Sequence, residues 1–547
     1  MAKENIHQML AAIQREANRT RTENGALTYQ SSGSACLDLF GTIGALRTEK
    51  YEEILTRFIH AWAEDRNLAM KILFYGRDIR GGLGERRVFR IILTWLALVH
   101  PEAVVHNLKN IPEYGRFDDM LHLLQSPCKQ DVLNFIQSQL HEDIRRLDEF
   151  EAIFGKPQMI TGTHPDKGWN SNEIQKMLTY CTSPKTGISL LAKWMPSINA
   201  SSAWTVHYAK LIADHLNMKP SQYRKMLTRL RAALNLLENY MRTGNYTFDY
   251  SKQPSKALFM HRNAFIKNDE KRYSAYLDMV SSGTVKLNTG TLYPYEIIQS
   301  IVNRNMNLNV SDQKALNVTW NAQKDYTRGQ NALVVIDGSG SMYGGGDPKP
   351  AHVALSLGIY FAERNQGAFK DHFVTFSMHP RLVKIKGDNI VDKVLDAMCY
   401  NECANTNIEA VFRLILKAAL QNHVPQSELP ETIYIISDME FDCCTENANI
   451  TNFENAKRMF ESAGYNIPHL VFWNVQSRHG QQPVTMNDRG VTLVSGCSPS
   501  IFEQVMSGTT PYEFMMQVLN SERYSGICAY TLSTGYRHDA SGLCNDC

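Results

Sequence analysis

The chain has 547 residues, 43% of them apolar and 20% charged, with a formal net charge of +2. That length exceeds one ordinary hydrophobic core, so two or more domains are expected, and the composition excludes a disordered or fibrous chain. No apolar run reaches the ~18 residues of a membrane span, the N-terminus MAKENIHQML has no secretory stretch, and a cytoplasmic protein is expected.

The small net charge hides a division. Residues 1–330 hold 42 Lys+Arg against 32 Asp+Glu, whereas residues 331–547 hold 15 against 23. A basic half and an acidic half point to two partners or two tasks.

Up to residue 310 the sequence reads mainly as helices. Glu52 to Tyr75 and Gln130 to Phe150 carry helical apolar spacing. Glu85 to His100 is apolar nearly all round after a basic first turn, as in a helix sandwiched between others. Tyr223 to Met241 is amphipathic: Met226, Leu230, Ala233, Leu237 and Tyr240 share one stripe, while Arg224, Thr228, Arg231 and Asn235 share another. Such helices with short polar breaks predict an all-α, HEAT-like helical-repeat module, an α-solenoid of stacked pairs. The sequence leaves open whether it closes into a ring. Gly155 to Asn172, GKPQMITGTHPDKGWNSN, reads as a long polar connector.

The texture changes between Val310 and Gly329. The runs 332–336 (ALVVI), 372–377 (HFVTFS), 432–437 (TIYIIS), 468–473 (PHLVFW) and 491–495 (VTLVS) are short, apolar and rich in β-branched or aromatic residues. Helical stretches at 350–365, 408–420 and 452–464 separate most of them. This alternation predicts a doubly wound α/β domain with a parallel sheet. The expected division is residues 1–325 and 326–547.

In such a sheet, ligands collect beyond the carboxyl ends of the strands. Asp337 follows the first strand of the second domain, and Ser339 and Ser341 follow on the loop. Asp438 directly follows TIYIIS, and Thr406 stands just before a helix. Brought together, these five offer two carboxylates and three hydroxyls, a hard oxygen set for Mg²⁺ or another divalent cation. With so little protein charge the ion would keep a position open, which a partner's carboxylate could fill.

This Asp-x-Ser-x-Ser pattern with a distant Thr and Asp resembles the metal-ion-dependent adhesion site of von Willebrand factor A domains. Gly338 stands where an aliphatic residue is usual, and Ala404 and Asn405 where two glycines commonly precede the threonine. An A domain behind a basic helical half resembles the Ro proteins, in which a TROVE module of helical repeats forms a ring. The stretches 75–90 (YGRDIRGGLGERRVFR), 112–124 (PEYGRFDDMLHLL), 249–265 (DYSKQPSKALFMHRNAF) and 292–298 (LYPYEII) are more similar to an uncharacterised sister family of the same build. The resemblance implies binding of small noncoding or misfolded RNA by the helical module, with the A domain engaging a second partner.

Residues that suit this are Arg77, Arg80, Arg86, Arg87 and Arg90 around a glycine-rich bend, since guanidinium forks match phosphate oxygens. Lys256, His261, Arg262, Lys267, Lys271 and Arg272, with Phe259 and Phe265 nearby, form a second basic cluster of the kind that suits single-stranded RNA, and Arg224 and Arg231 are further candidates. Each group has a plainer reading. Asp78 and Glu85 could pair with the first, Asp269 and Glu270 lie beside the second, and the phenylalanines could be core. The rival function is a protein–protein adaptor that uses the metal site without RNA. No Ser-His-Asp order or phosphate loop is present, so an enzyme is not expected. The CxxC of Cys544 and Cys547 lacks a second pair to complete a zinc site.

Overall fold

The computed structural model describes residues 8–155, 186–304, 308–400, 406–443 and 449–529. The connector after Gly155 lies almost wholly outside them, as do Ala404, Asn405, Cys444, Cys544 and Cys547.

The second half contains a six-stranded sheet of order β5-β4-β3-β6-β7-β8. Its strands are β3 (Ala332–Asp337), β4 (His372–Phe376), β5 (Leu382–Lys384), β6 (Thr432–Ser437), β7 (His469–Asn474) and β8 (Val491–Ser495). All neighbours pair in parallel except β5, an antiparallel edge on β4. Every residue of β3, β6, β7 and β8 is buried. That is why the sequence shows continuous apolar runs there rather than alternation. The helices Pro350–Arg364, Ile408–Gln421 and Asn452–Ser462 fall where expected. Thr451 and Glu454 form a capping box that fixes the start of the last.

Among its described residues the first half has helices and one hairpin, β1 (Arg19–Arg21) and β2 (Leu27–Tyr29). Two long predicted helices are broken. The first divides at Asp65, whose carboxylate caps Arg66–Arg77 by accepting from the Leu68 amide. The second divides into Pro220–Ala233 and Leu237–Arg242, with Asn235 left-handed between them at φ 49°. The predicted apolar stripe therefore feeds two cores. Leu227, Leu230 and Ala233 join the large one. Leu237 and Tyr240 join a smaller one with Tyr246, Phe248, Tyr250 and Phe265.

The large core runs without interruption from the first helices into the sheet. The helix Ala35–Thr42 packs on β8 and on Pro511–Leu519, with Phe40 edge-on to Phe514 at 5.9 Å. At the other end of the helical half, Pro294–Val302 packs on Pro350–Arg364. Both ends thus rest on the sheet domain. At the first contact Gly44 donates its amide to Ser495 Oγ at 3.0 Å, and a Cβ there would stand 2.8 Å from the Gly496 backbone. Gly44→Ala should therefore force backbone apart and cost about 1–3 kcal/mol, read as a lowered urea midpoint; an unchanged midpoint would show that this contact yields freely.

Candidate metal centre

The strand order places β3 between β4 and β6, so the chain leaves β3 in one direction and later returns on its other side. The carboxyl ends of β3 and β6 are therefore the switch point of the sheet. The register pairs Ile336 with Ile436, which sets Asp337 opposite Ser437 and Asp438 one residue further on. Ser437 Oγ donates to Asp337 Oδ2 at 2.5 Å, and the Ser339 amide donates to Asp337 Oδ1 at 2.8 Å. Ser339 Oγ lies 3.0 Å from Ser341 Oγ. The Ser341 hydroxyl in turn is a hydrogen-bond partner of the Asp438 carboxylate. Four of the five predicted ligands, Asp337, Ser339, Ser341 and Asp438, thus form one cluster. Ser341 alone of these reaches partly to solvent.

Thr406 is buried, but its hydrogen bonds turn away from this cluster. Its hydroxyl lies 2.6 Å from the Glu440 carbonyl and 3.3 Å from Asp442 Oδ1, and it accepts from Asn24 Nδ2 at 3.0 Å. These contacts run to Glu440, Asp442 and Asn24, and not to Asp337 or the serines.

Two adjacent acids in this position repel and are poorly solvated. Burial first, and then Asp438, push the Asp337 carboxyl up to about 7. Burial also raises the Asp438 carboxyl, against the opposing pull of Ser341 and Arg478. The charge on one side is met by Arg478, whose Nη2 lies 3.0 Å from Asp438 Oδ2. A hard divalent cation fits such a donor set: two carboxylates in want of positive charge, with hydroxyls alongside. The sign of the pH effect follows. The folded carboxyl titrates above its unfolded value of ~4, so the folded state holds a proton that the unfolded state has lost. Stability without a cation should fall as pH rises from about 4 toward 7, and Mg²⁺ should remove the fall. Thermal midpoints at pH 5.5 and 8, in chelator and in Mg²⁺, check this; equal shifts in both would contradict it.

Nothing in the sequence marks the hairpin turn or Arg478 as part of the site. Arg478 sits on the loop after β7, with no local pattern to mark it. The turn between β1 and β2 reaches the site from more than 300 residues away in sequence: the Glu23 amide donates to Glu440 Oε2 at 2.8 Å, and Asn24 Nδ2 donates to the Glu440 carbonyl at 2.7 Å.

The basic residues divide. Arg77 is buried, 2.7 Å from Asp119, and Arg90 pairs with Asp118 and Asp119. Arg262 is buried 2.8 Å from Asp312. Arg231 spends its donors on the Ala192 and Met195 carbonyls and Ser197. The expectation that Arg77 and Arg262 face RNA is corrected, because a guanidinium sealed against a carboxylate in the core presents nothing to a phosphate. Arg90 and Arg231, only part-exposed, are committed to internal contacts. Arg80, Arg86, Arg87, Arg224 and Lys256 are exposed and His261 is half-buried, with Lys256 held 2.6 Å from Glu296. Phe265 is core and Phe259 lies under the Arg262 guanidinium.

Residues 22–154 and 208–331 match a domain of unknown function, DUF2828, and residues 331–523 match another, DUF7788. The DUF2828 match fits the expected uncharacterised family of two-part build. The chain is 32% identical over 538 residues to the uncharacterized protein L728 of Acanthamoeba polyphaga mimivirus, covering 92% of this chain and 87% of that protein. Among solved structures it is similar to the Ro (RSR) protein of Deinococcus radiodurans, at 12% identity and a TM-score of 0.35, over 88% of this chain and 92% of that one. Among the described residues no helix is long and apolar enough to cross a membrane.

Proposed function

The chain belongs to the same family as the mimivirus protein L728, and we propose that it is a non-catalytic binding protein. In this reading Asp337, Ser339, Ser341 and Asp438 hold a Mg²⁺ ion, and its open position takes a carboxylate from a partner protein. The observation that carries the reading is the pair of buried carboxylates at the switch point, served by a single guanidinium. Mg²⁺ dehydrates reluctantly and keeps waters when few protein charges surround it. Partly exposed Ser341 marks the side from which a partner would reach the ion. Titration calorimetry with Mg²⁺ and Mn²⁺ tests this: one site per chain is expected, and no heat with either ion would overturn it.

A second reading adds RNA at the helical half, as the Ro resemblance implies, and one observation favours it. Arg86 and Arg87 are exposed at the start of the helix Arg86–Val99, with Arg80 on the bend before it. Among the described residues Arg87 donates to the carbonyls of Arg47 and Glu49, and no carboxylate meets its charge. Arg86 is crowded by Arg116 and Arg90, and burial together with those two cations lowers its pKa. A phosphate would relieve that crowding. Filter binding of small structured RNA across a salt series should show a steep loss of affinity. The double variant Arg86→Glu, Arg87→Glu should lower the salt slope by about 2. Absence of binding at low salt would leave the protein–protein adaptor alone.

A further inference from the structure

The hairpin of β1 and β2 belongs to the helical half by sequence, yet its turn is seated on residues 440–442, just past Asp438. Thr22 Oγ1 donates to the Phe441 carbonyl at 2.6 Å, and Gly25 bridges to Asp442. Glu23 and Asn24 both grip Glu440, which is itself buried and takes further bonds from His479 Nδ1 at 3.0 Å and Gln481 Nε2 at 2.7 Å. Arg478 joins the two structures. One amino group lies 3.0 Å from Asp438 Oδ2, and the other lies 2.9 Å from a Glu23 carboxylate oxygen. Its Nε is buried without a hydrogen-bond partner, so the guanidinium is held by these two carboxylates rather than by a fixed socket.

We propose that Arg478 is a built-in counter-ion for Asp438 that competes with the cation, and that through Glu23 it couples cation binding to loosening of the hairpin turn. This rests on the metal-site reading above and deepens it by naming how the site is regulated. The reasoning is one of charge. A cation held by Asp438 takes over the negative charge that Arg478 now meets, and it repels a guanidinium at that distance. Arg478 then keeps only Glu23, which is exposed, and the turn loses its charged link to Asp438 while the bonds of residues 22–25 to residues 440–442 remain. By linkage, whatever unseats the turn must tighten cation binding by the same factor. The turn is thus held more tightly without the cation than with it.

The test uses the full chain, with Mn²⁺ and Mg²⁺ as the probes. Arg478→Gln should tighten the cation by about tenfold. In the wild type, saturating Mg²⁺ should speed hydrogen exchange of the peptide covering residues 19–29. Glu23→Gln should still bind the cation, but exchange in that peptide should no longer respond to it. Should Arg478→Gln fail to fold, Glu23→Gln alone decides. If wild type binds the cation while Arg478→Gln leaves affinity unchanged, or exchange in residues 19–29 ignores Mg²⁺, the coupling is wrong and the metal site stands. If wild type binds no cation at all, the metal-site reading itself fails.

Discussion

Asp337→Ala is expected to abolish cation binding, with affinity falling at least about a hundredfold. Loss of a residue that merely orients a ligand typically costs 10- to 100-fold, and Asp337 is one of only two carboxylates in the cluster. The same change should not harm the fold. It removes one of two buried acids that repel each other, and its structural cost is the lost acceptor for Ser437 Oγ and for the Ser339 amide, about 1–2 kcal/mol. At pH 8 in chelator the variant should therefore melt at or above the wild-type temperature, while losing the stabilisation that Mg²⁺ gives wild type. Functional sites often trade stability in this way. Calorimetry and thermal melts on the same samples check both halves. Retained Mg²⁺ affinity in Asp337→Ala would remove the centre from this position.

Asp119→Ala is expected to have the largest effect on stability, about 3–5 kcal/mol, because it leaves a buried cation without its counter-charge. Asp119 is fully buried and accepts from Arg77 Nε at 2.9 Å, Arg90 Nε at 2.6 Å and the Arg116 amide at 3.0 Å. Arg77 is only 2% exposed and cannot turn to water. The backbone also crowds this pair: a Cβ on Gly115 would stand 2.5 Å from Asp119 Oδ2. The exposed pair Lys193–Glu238 offers the contrast, since its disruption by Glu238→Ala should cost no more than about 1 kcal/mol. Urea midpoints of the two variants separate these cases. Equal small losses would mean that Arg77 finds another partner.

The sheet was legible because buried parallel strands must be apolar on both faces, and ALVVI, TIYIIS and VTLVS match their strands to within a residue. The edge strand Leu382–Lys384 has one buried residue and left no such trace. The helix breaks at Asp65 and Asn235 were hidden because apolar spacing continues across both. A cap and one left-handed residue decided there against periodicity. At the site, Asp337 and Asp438 could be paired on paper because each directly follows a strand. Arg478 and Glu23 could not, since only the folded chain brings a loop after β7 to a turn 455 positions earlier. The arginines show the same limit. Sequence reveals five around a glycine bend, but not that Asp119, 42 residues beyond Arg77, claims one of them for the core.

The last described residues close the first helices. Asp78 is fully buried, and its counter-charge is Arg523, 445 residues later, with Tyr524 Oη also donating to it at 3.1 Å. Asn107 completes its bonding on the Cys528 carbonyl. During synthesis at ~5–20 residues per second, the helical half would wait roughly 20–90 s for the partner of Asp78 to leave the ribosome. Until then its carboxylate and the apolar face beside it stay open to water. A premature stop shortly before Arg523 should therefore yield a less stable product, because Asp78 is left without its counter-charge.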